Sequence, residues 1–181
     1  MSTLRVLLCM VLTAALSRPA AAYVYWTPET LLASYFPAPQ RVTTEVYAPD
    51  PGTVERLRGA LRYAPPSEVS IRVGRSGDAV AGYAILDSQL GQHEPIDFGV
   101  LFTPDGVVAR VEILVYREAY GEGVRAEAFR RQFVGLGPSA AMRPGKEIRV
   151  VSGATISTRS ISTGVRRATL LLAAYLGRPL S

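Results

Sequence analysis

The chain has 181 residues, about half of them apolar, and a formal charge of +5 carried by arginine: Lys146 is the only lysine. One cysteine (Cys9) and one histidine (His93) exclude a disulfide framework, a thiolate metal site and a His-rich metal site. The arginines are scattered apart from Arg130–Arg131 and Arg166–Arg167, which falls short of the clustered stripe that nucleic acid requires.

In chain order, Met1 to Ala22 comes first. It has a basic start at Arg5, an apolar run from Val6 to Leu16 and the small-residue end "SRPAAA". That is the pattern of a secretory signal peptide cleaved after Ala22. The run is too short for a membrane span, which needs ~20 apolar residues. The expected product is a single domain over 23–181, about 160 residues, without cysteine and with a charge of about +3 once Arg5 and Arg18 are gone. An export signal places it outside the cytoplasmic membrane, in the periplasm or an equivalent compartment.

"WTPETLLASYF" reads as a helix with Thr27 as N-cap and Pro28 opening it. "RVTTEVYA" alternates like an edge strand. "DPGTVERLRGALR" reads as a second helix, capped by Asp50, with Val54, Leu57 and Leu61 on one face. "EVSIRVGR" and "AVAGYAILD" form a hairpin across Ser76–Asp78. After a loop "SQLGQHEP", the strand "IDFGVLFT" turns at Pro104-Asp105-Gly106 into "VVARVEILVYRE". In that strand Val107, Val111, Ile113 and Val115 favour one face, and Arg110 and Glu112 the other. "AYGEGV" is a glycine-rich loop. "RAEAFRRQFVGL" reads as an amphipathic helix with Phe129 and Phe133 as core residues, and "EIRVV" as a short strand. A last helix runs from about Ile156 to Leu176. Consecutive hairpins between helices give an α+β fold, a mostly antiparallel sheet with helices packed against it.

One stretch holds more hydroxyl groups than a turn needs: "VVSGATIST", Val150 to Thr158, between the last strand and the last helix. A helix start offers free N–H groups and the positive end of its dipole, which favour phosphate. Gly153 lets the backbone approach, and Ser152, Thr155, Ser157 and Thr158 bring hydroxyls. Ser and Thr are also the usual N-caps, so residue chemistry alone leaves a cap and an anion cradle both open. There is no Gly-x-Ser-x-Gly elbow and no Gly-x-Gly-x-x-Gly after a strand, so neither a serine hydrolase nor a dinucleotide fold is indicated.

The stretch resembles the signature of the FMN-binding domain family, which includes the flavin-carrying periplasmic subunits of the sodium-pumping NADH:quinone oxidoreductase and of the Rnf complex. Ser152, Gly153, Ala154 and Thr155 match its Ser/Thr-Gly-Ala-Thr motif. "GYA", "HEPIDFGVLFTPDGVVARVEILVYRE" and "YGEGV" resemble its central hairpin and the loop beside the flavin. The resemblance implies FMN as cofactor and Thr155 as the residue esterified to its phosphate by a separate flavin transferase. It implies Glu118, Gly121 and Gly123 in the flavin loop. His93, the sole histidine, reads equally as a flavin contact and as a loop residue bonded to backbone. The implied role is electron transfer between redox protein partners, rather than stand-alone catalysis. A small FMN-dependent reductase and a flavin-free interaction module are the alternatives. Modified motifs carry an Asp three residues before the Ser/Thr. Here Arg149 stands there, which leaves covalent and non-covalent FMN both open.

Overall fold

The computed structural model describes residues 22–180. The segment read as a signal peptide, Met1 to Ala22, lies outside the described residues apart from Ala22. A six-stranded antiparallel sheet runs in the order β1-β6-β5-β4-β3-β2. Its strands are β1 (Tyr23–Val24), β2 (Arg41–Tyr47), β3 (Val69–Ser76), β4 (Ala79–Leu90), β5 (Pro95–Phe102) and β6 (Val108–Tyr116). The helices are α1 (Pro28–Tyr35), α2 (Pro51–Leu61), the single turn α3 (Glu127–Arg130) and α4 (Thr155–Tyr175). The fold is α+β, with α4 on the sheet.

Local chemistry starts the first two helices as the sequence indicates. The Thr27 hydroxyl accepts from the Thr30 N–H at 3.2 Å, and the Thr30 hydroxyl accepts from the Thr27 N–H at 3.0 Å. Asp50 accepts from the Thr53 N–H at 3.0 Å and opens α2. β2 is the sheet edge opposite β1.

The sheet buries both faces. On one, Ile71, Val73, Ile85, Phe98, Val100, Val111 and Ile113 meet Leu57 of α2 and Ile161, Val165, Leu171 and Leu172 of α4. On the other, Ala84, Leu101 and Leu114 meet Leu31 and Phe36 around α1. Each fully buried Leu, Ile or Phe contributes roughly 1.5–3 kcal/mol. Gly164 brings α4 down onto Phe98: a Cβ there would stand 2.3 Å from the Phe98 ring.

Four sequence expectations are corrected. β4 continues through "SQL" to Leu90, so only Gly91–Glu94 turns. "RAEAFRRQFVGL" is not one helix. A 3₁₀ turn (Glu122–Arg125), α3 and a second 3₁₀ turn (Arg131–Phe133) replace it. The break lets the chain return to the sheet, where the Val108 N–H donates to the Leu136 carbonyl at 2.9 Å and the Gly135 N–H to the Val108 carbonyl at 2.8 Å. Phe129 and Phe133 still reach the core, edge to face at 5.4 Å. "EIRVV" is not a strand. Its one bridge is Pro144 with Ile148, and the Gln132 amide grips the Arg149 backbone on both sides, at 2.8 and 3.3 Å. Finally, β6 does not keep one alternation. Asp97 pairs with Val115 and Phe98 with Ile113, so Leu114 is an extra residue. Beyond this bulge Val115 turns toward the α1 side, and Tyr116 turns into the core beneath α4.

The adjacent arginines Arg166 and Arg167 are stitched into the fold. Arg167 holds Asp87 at 2.6 Å, and Arg166 donates to the Ala140 carbonyl at 2.7 Å. Among the described residues, no helix is long and apolar enough to cross a membrane.

Candidate functional site: the start of the last helix

Gly153 takes a left-handed turn (φ +73°) that no other residue type adopts cheaply. The turn is closed by the Ala154 N–H donating to the Val151 carbonyl at 3.0 Å. It delivers Ala154, not a hydroxyl residue, to the N-cap position of α4, and no side chain caps the helix. The cap alternative left open by the sequence is therefore not what forms. The first free N–H groups of α4 and the positive end of its dipole face outward with no side-chain acceptor.

The hydroxyls around this start divide cleanly. Ser157 is buried and lies 3.0 Å from the Tyr116 hydroxyl. The Thr158 hydroxyl accepts from the Val151 N–H at 3.3 Å. Ser162 donates to the Thr158 carbonyl, and Ser160 to the Leu90 carbonyl. Thr155 is exposed, and its hydroxyl makes no hydrogen bond among the described residues. Ser152 is exposed too, one step outside the cleft.

That cleft, about 260 Å³, is bounded by Glu118, Tyr120 and Gly121 on one side and Gly153 to Ser157 on the other, with Gln92 at its end. Two glycines allow the loop and helix to come this close. A Cβ on Gly121 (φ +91°) would lie 2.7 Å from both the Ser157 and Tyr116 hydroxyls. One on Gly123 would lie 2.7 Å from the Val151 side chain. The structure thus brings Gly153, Ala154, Thr155, Glu118 and Gly121 together, with Gly123 packed behind the turn. His93 is exposed beside the cleft and does not line it. Tyr83 is buried against Tyr175, whose ring centroid is 6.2 Å away, in the main core.

Glu118 makes no ion pair among the described residues. Its carboxylate accepts from the His93 N–H at 2.6 Å and the Glu94 N–H at 3.0 Å, tying the β4–β5 turn to the loop after β6. Partial burial raises its pKa, but the N–H groups of Glu94, His93 and Gln92 together outweigh that and hold it below the ordinary value. A depressed carboxyl stabilises the fold fully above its unfolded pKa, ~4.3, and the contribution fades as pH falls through the lower native value. Protection of the His93 and Glu94 amides, relative to their intrinsic exchange rates, is therefore expected to fall in acid below about pH 4. In Glu118→Gln this acid-specific step disappears, as NMR exchange would show.

Gln92 and Tyr116 were missed as site residues, and Ser157, read as a cradle hydroxyl, is instead buried against Tyr116. Tyr116 could not be found from the sequence, because the bulge at Leu114 decides which way it points. Its hydroxyl donates to the Tyr120 carbonyl at 2.5 Å and meets Ser157, clasping loop to helix. Burial raises its pKa, so it stays a donor at neutral pH. Tyr116→Phe is expected to cost about 1–2 kcal/mol in urea unfolding and to speed exchange of the Gly121 amide. An unchanged Gly121 amide would show that the clasp does not hold the loop.

An α+β chain that presents an uncapped helix start, a left-handed glycine and a free threonine hydroxyl on one small cleft has the features of a phosphate-holding protein. The family model of the FMN-binding domain matches residues 91–169. The match covers this stretch of the chain and supports FMN as the cofactor. The matched residues run from the β4–β5 turn to near the end of α4 and contain every residue lining the cleft. No curated protein matched the chain.

Proposed function

We propose that the protein is an exported electron-transfer flavoprotein whose FMN phosphate is held at the start of α4 and esterified to Thr155 by a flavin transferase. The observation that carries this reading is the uncapped α4 start with its free Thr155 hydroxyl, inside the stretch that matches the FMN-binding domain. The residues fit the group: Gly153 leaves open space where a side chain would stand, and the N–H groups after Ala154 are aligned for phosphate oxygens. Bound FMN would supply one- and two-electron redox chemistry, and the chain places and shields it.

The N-terminal leader pattern supports export. Tyr120 (85 % exposed) and Ile156 (43 %) beside the cleft, with Leu90 (66 %), form an apolar rim suited to a redox protein partner. The protein expressed with a flavin transferase is expected to stay yellow after denaturing desalting, with an FMN-sized mass increment. A yellow native protein that bleaches on denaturation would mean FMN held without an ester. A colourless one would overturn the reading in favour of a flavin-free module.

A further inference from the structure

A second cleft, about 490 Å³, has Glu122, Gly123 and Arg125 of the 3₁₀ turn on its lining and shares no lining residue with the Thr155 cleft. Its walls are Tyr25 and Trp26, from the segment between β1 and α1, and Arg110, Glu112, Arg125 and Arg130. Nothing in the proposed flavin role uses them.

At its floor is Glu112, 7 % exposed, on the α1 face of β6. Two guanidinium groups share this one carboxylate. Arg110 approaches it at 2.7 Å, and Arg130, whose side chain is 17 % exposed, pairs with it from α3. One buried carboxylate between two arginines leaves an uncompensated positive charge. Burying such a charge is costly unless it is paired. Arg125 adds another. It lies over the Tyr25 ring at 4.5 Å, pairs with no carboxylate and donates no side-chain hydrogen bond among the described residues. Glu122 on the rim returns one negative charge. The cleft is thus left net positive by one.

The aromatic side is equally ordered. The Tyr25 N–H donates to the Leu114 carbonyl at 2.8 Å and the Trp26 N–H to the same oxygen at 3.3 Å. Arg110 stacks over Trp26 at 5.2 Å. Arg110 already directs its N–H edge to Glu112 and to the Ser34 hydroxyl at 3.3 Å, so Arg125, over Tyr25, is the guanidinium left to meet a ligand carboxylate. The volume suits a small molecule.

We propose that this cleft binds a small planar carboxylate with an aromatic or unsaturated body, its carboxylate on the Arg125 side and its body against Tyr25 and Trp26. The site is separate from the FMN phosphate site and does not depend on it.

Trp26 is the sole tryptophan, so its fluorescence reports on this cleft. Benzoate, used as the probe, is expected to quench it saturably, and neutral benzamide to bind at least about tenfold more weakly. Arg125→Gln, at an exposed position, weakens benzoate about tenfold. Glu112→Gln is the sharper test. It frees Arg110 and Arg130 from their shared carboxylate, so benzoate binds several-fold more tightly. A purely structural ion-pair triad predicts no such gain. If Glu112→Gln does not fold, Arg125→Gln and the benzoate–benzamide contrast still decide. Calorimetry on FMN-loaded protein is expected to give the same benzoate affinity as FMN-free protein. No saturable quenching, equal binding of benzamide, or an Arg125→Gln affinity equal to the parent's would overturn the proposal. So would loss of benzoate binding on FMN loading, which would assign the cleft to the flavin. Failure of the protein to bind FMN at all would sink the flavin role and leave this inference standing.

Discussion

Thr155→Val, expressed with a flavin transferase, is expected to carry no covalent FMN, while Thr155→Ser keeps the mass increment. Valine has nearly the shape of threonine without the nucleophilic oxygen, and Thr155 is exposed, so the fold is expected to be unaffected. The backbone cradle survives in this variant, because Gly153 and the uncapped N–H groups of α4 do not depend on the side chain. Reversible FMN binding therefore persists, weakened about tenfold by the loss of one hydrogen bond to a charged group. Arg149 provides the opposite arm. Its side chain does not line the cleft, and the family resemblance puts a carboxylate at this position in readily modified chains. Arg149→Asp is then expected to raise the modified fraction without changing reversible FMN affinity more than about twofold, an effect near the noise of exposed charges. Intact-protein mass spectrometry reads the first quantity and FMN titration the second. An adduct that persists in Thr155→Val would place the ester elsewhere and end the proposed chemistry.

The second large effect lies where α4 presses on the sheet. Phe98 is fully buried, and its ring sits where a Gly164 side chain would be. Phe98→Ala is expected to lose about 3–5 kcal/mol, transfer and cavity terms together. Gly164→Ala looks favourable by helix propensity, which would gain about 1 kcal/mol. It is nevertheless expected to destabilise by about 1–3 kcal/mol, because the new Cβ meets Phe98 at 2.3 Å and Gln89 at 2.9 Å. The two positions are coupled. Phe98→Leu combined with Gly164→Ala is expected to cost less than the sum of the single changes, since the smaller side chain makes room for the methyl. Urea unfolding of the four proteins tests this. Simple additivity would mean that α4 shifts bodily instead of clashing.

These two sites also mark what could be read in the sequence. The extent of the last helix, the hairpin across Ser76–Asp78 and the caps at Thr27 and Asp50 are local signals, and all were legible. So was the grouping of the Ser152–Thr155 turn with the Gly121–Gly123 loop, through family resemblance. What stayed hidden depends on contacts distant in sequence. "EIRVV" has strand composition, but Gln132 occupies the Arg149 backbone groups that a neighbouring strand would use. The Arg130 region has helical spacing. Its helix breaks after one turn because Arg130 is drawn to Glu112 and the chain must rejoin Val108. The many hydroxyls suggested a side-chain cap, yet Gly153 rotates the chain so that Ala154 arrives there instead. The two-residue β1 pairs only with Tyr116 and Val115, too short a run to leave a period.

The bulge at Leu114 has a consequence for the order of events in the making of this protein. Tyr116 can face Ser157 only once β6 has settled against β5 with that one extra residue accommodated. A chain one residue out of step would send Tyr116 to the α1 side and leave the loop at Gly121 unclasped. On the proposed reading, the geometry around the Thr155 acceptor is complete only once this strand, which ends some forty residues earlier, is in register. A modifying enzyme that recognises this geometry needs no separate means of inspecting its substrate. On that reading, a chain with β6 out of register does not display the acceptor.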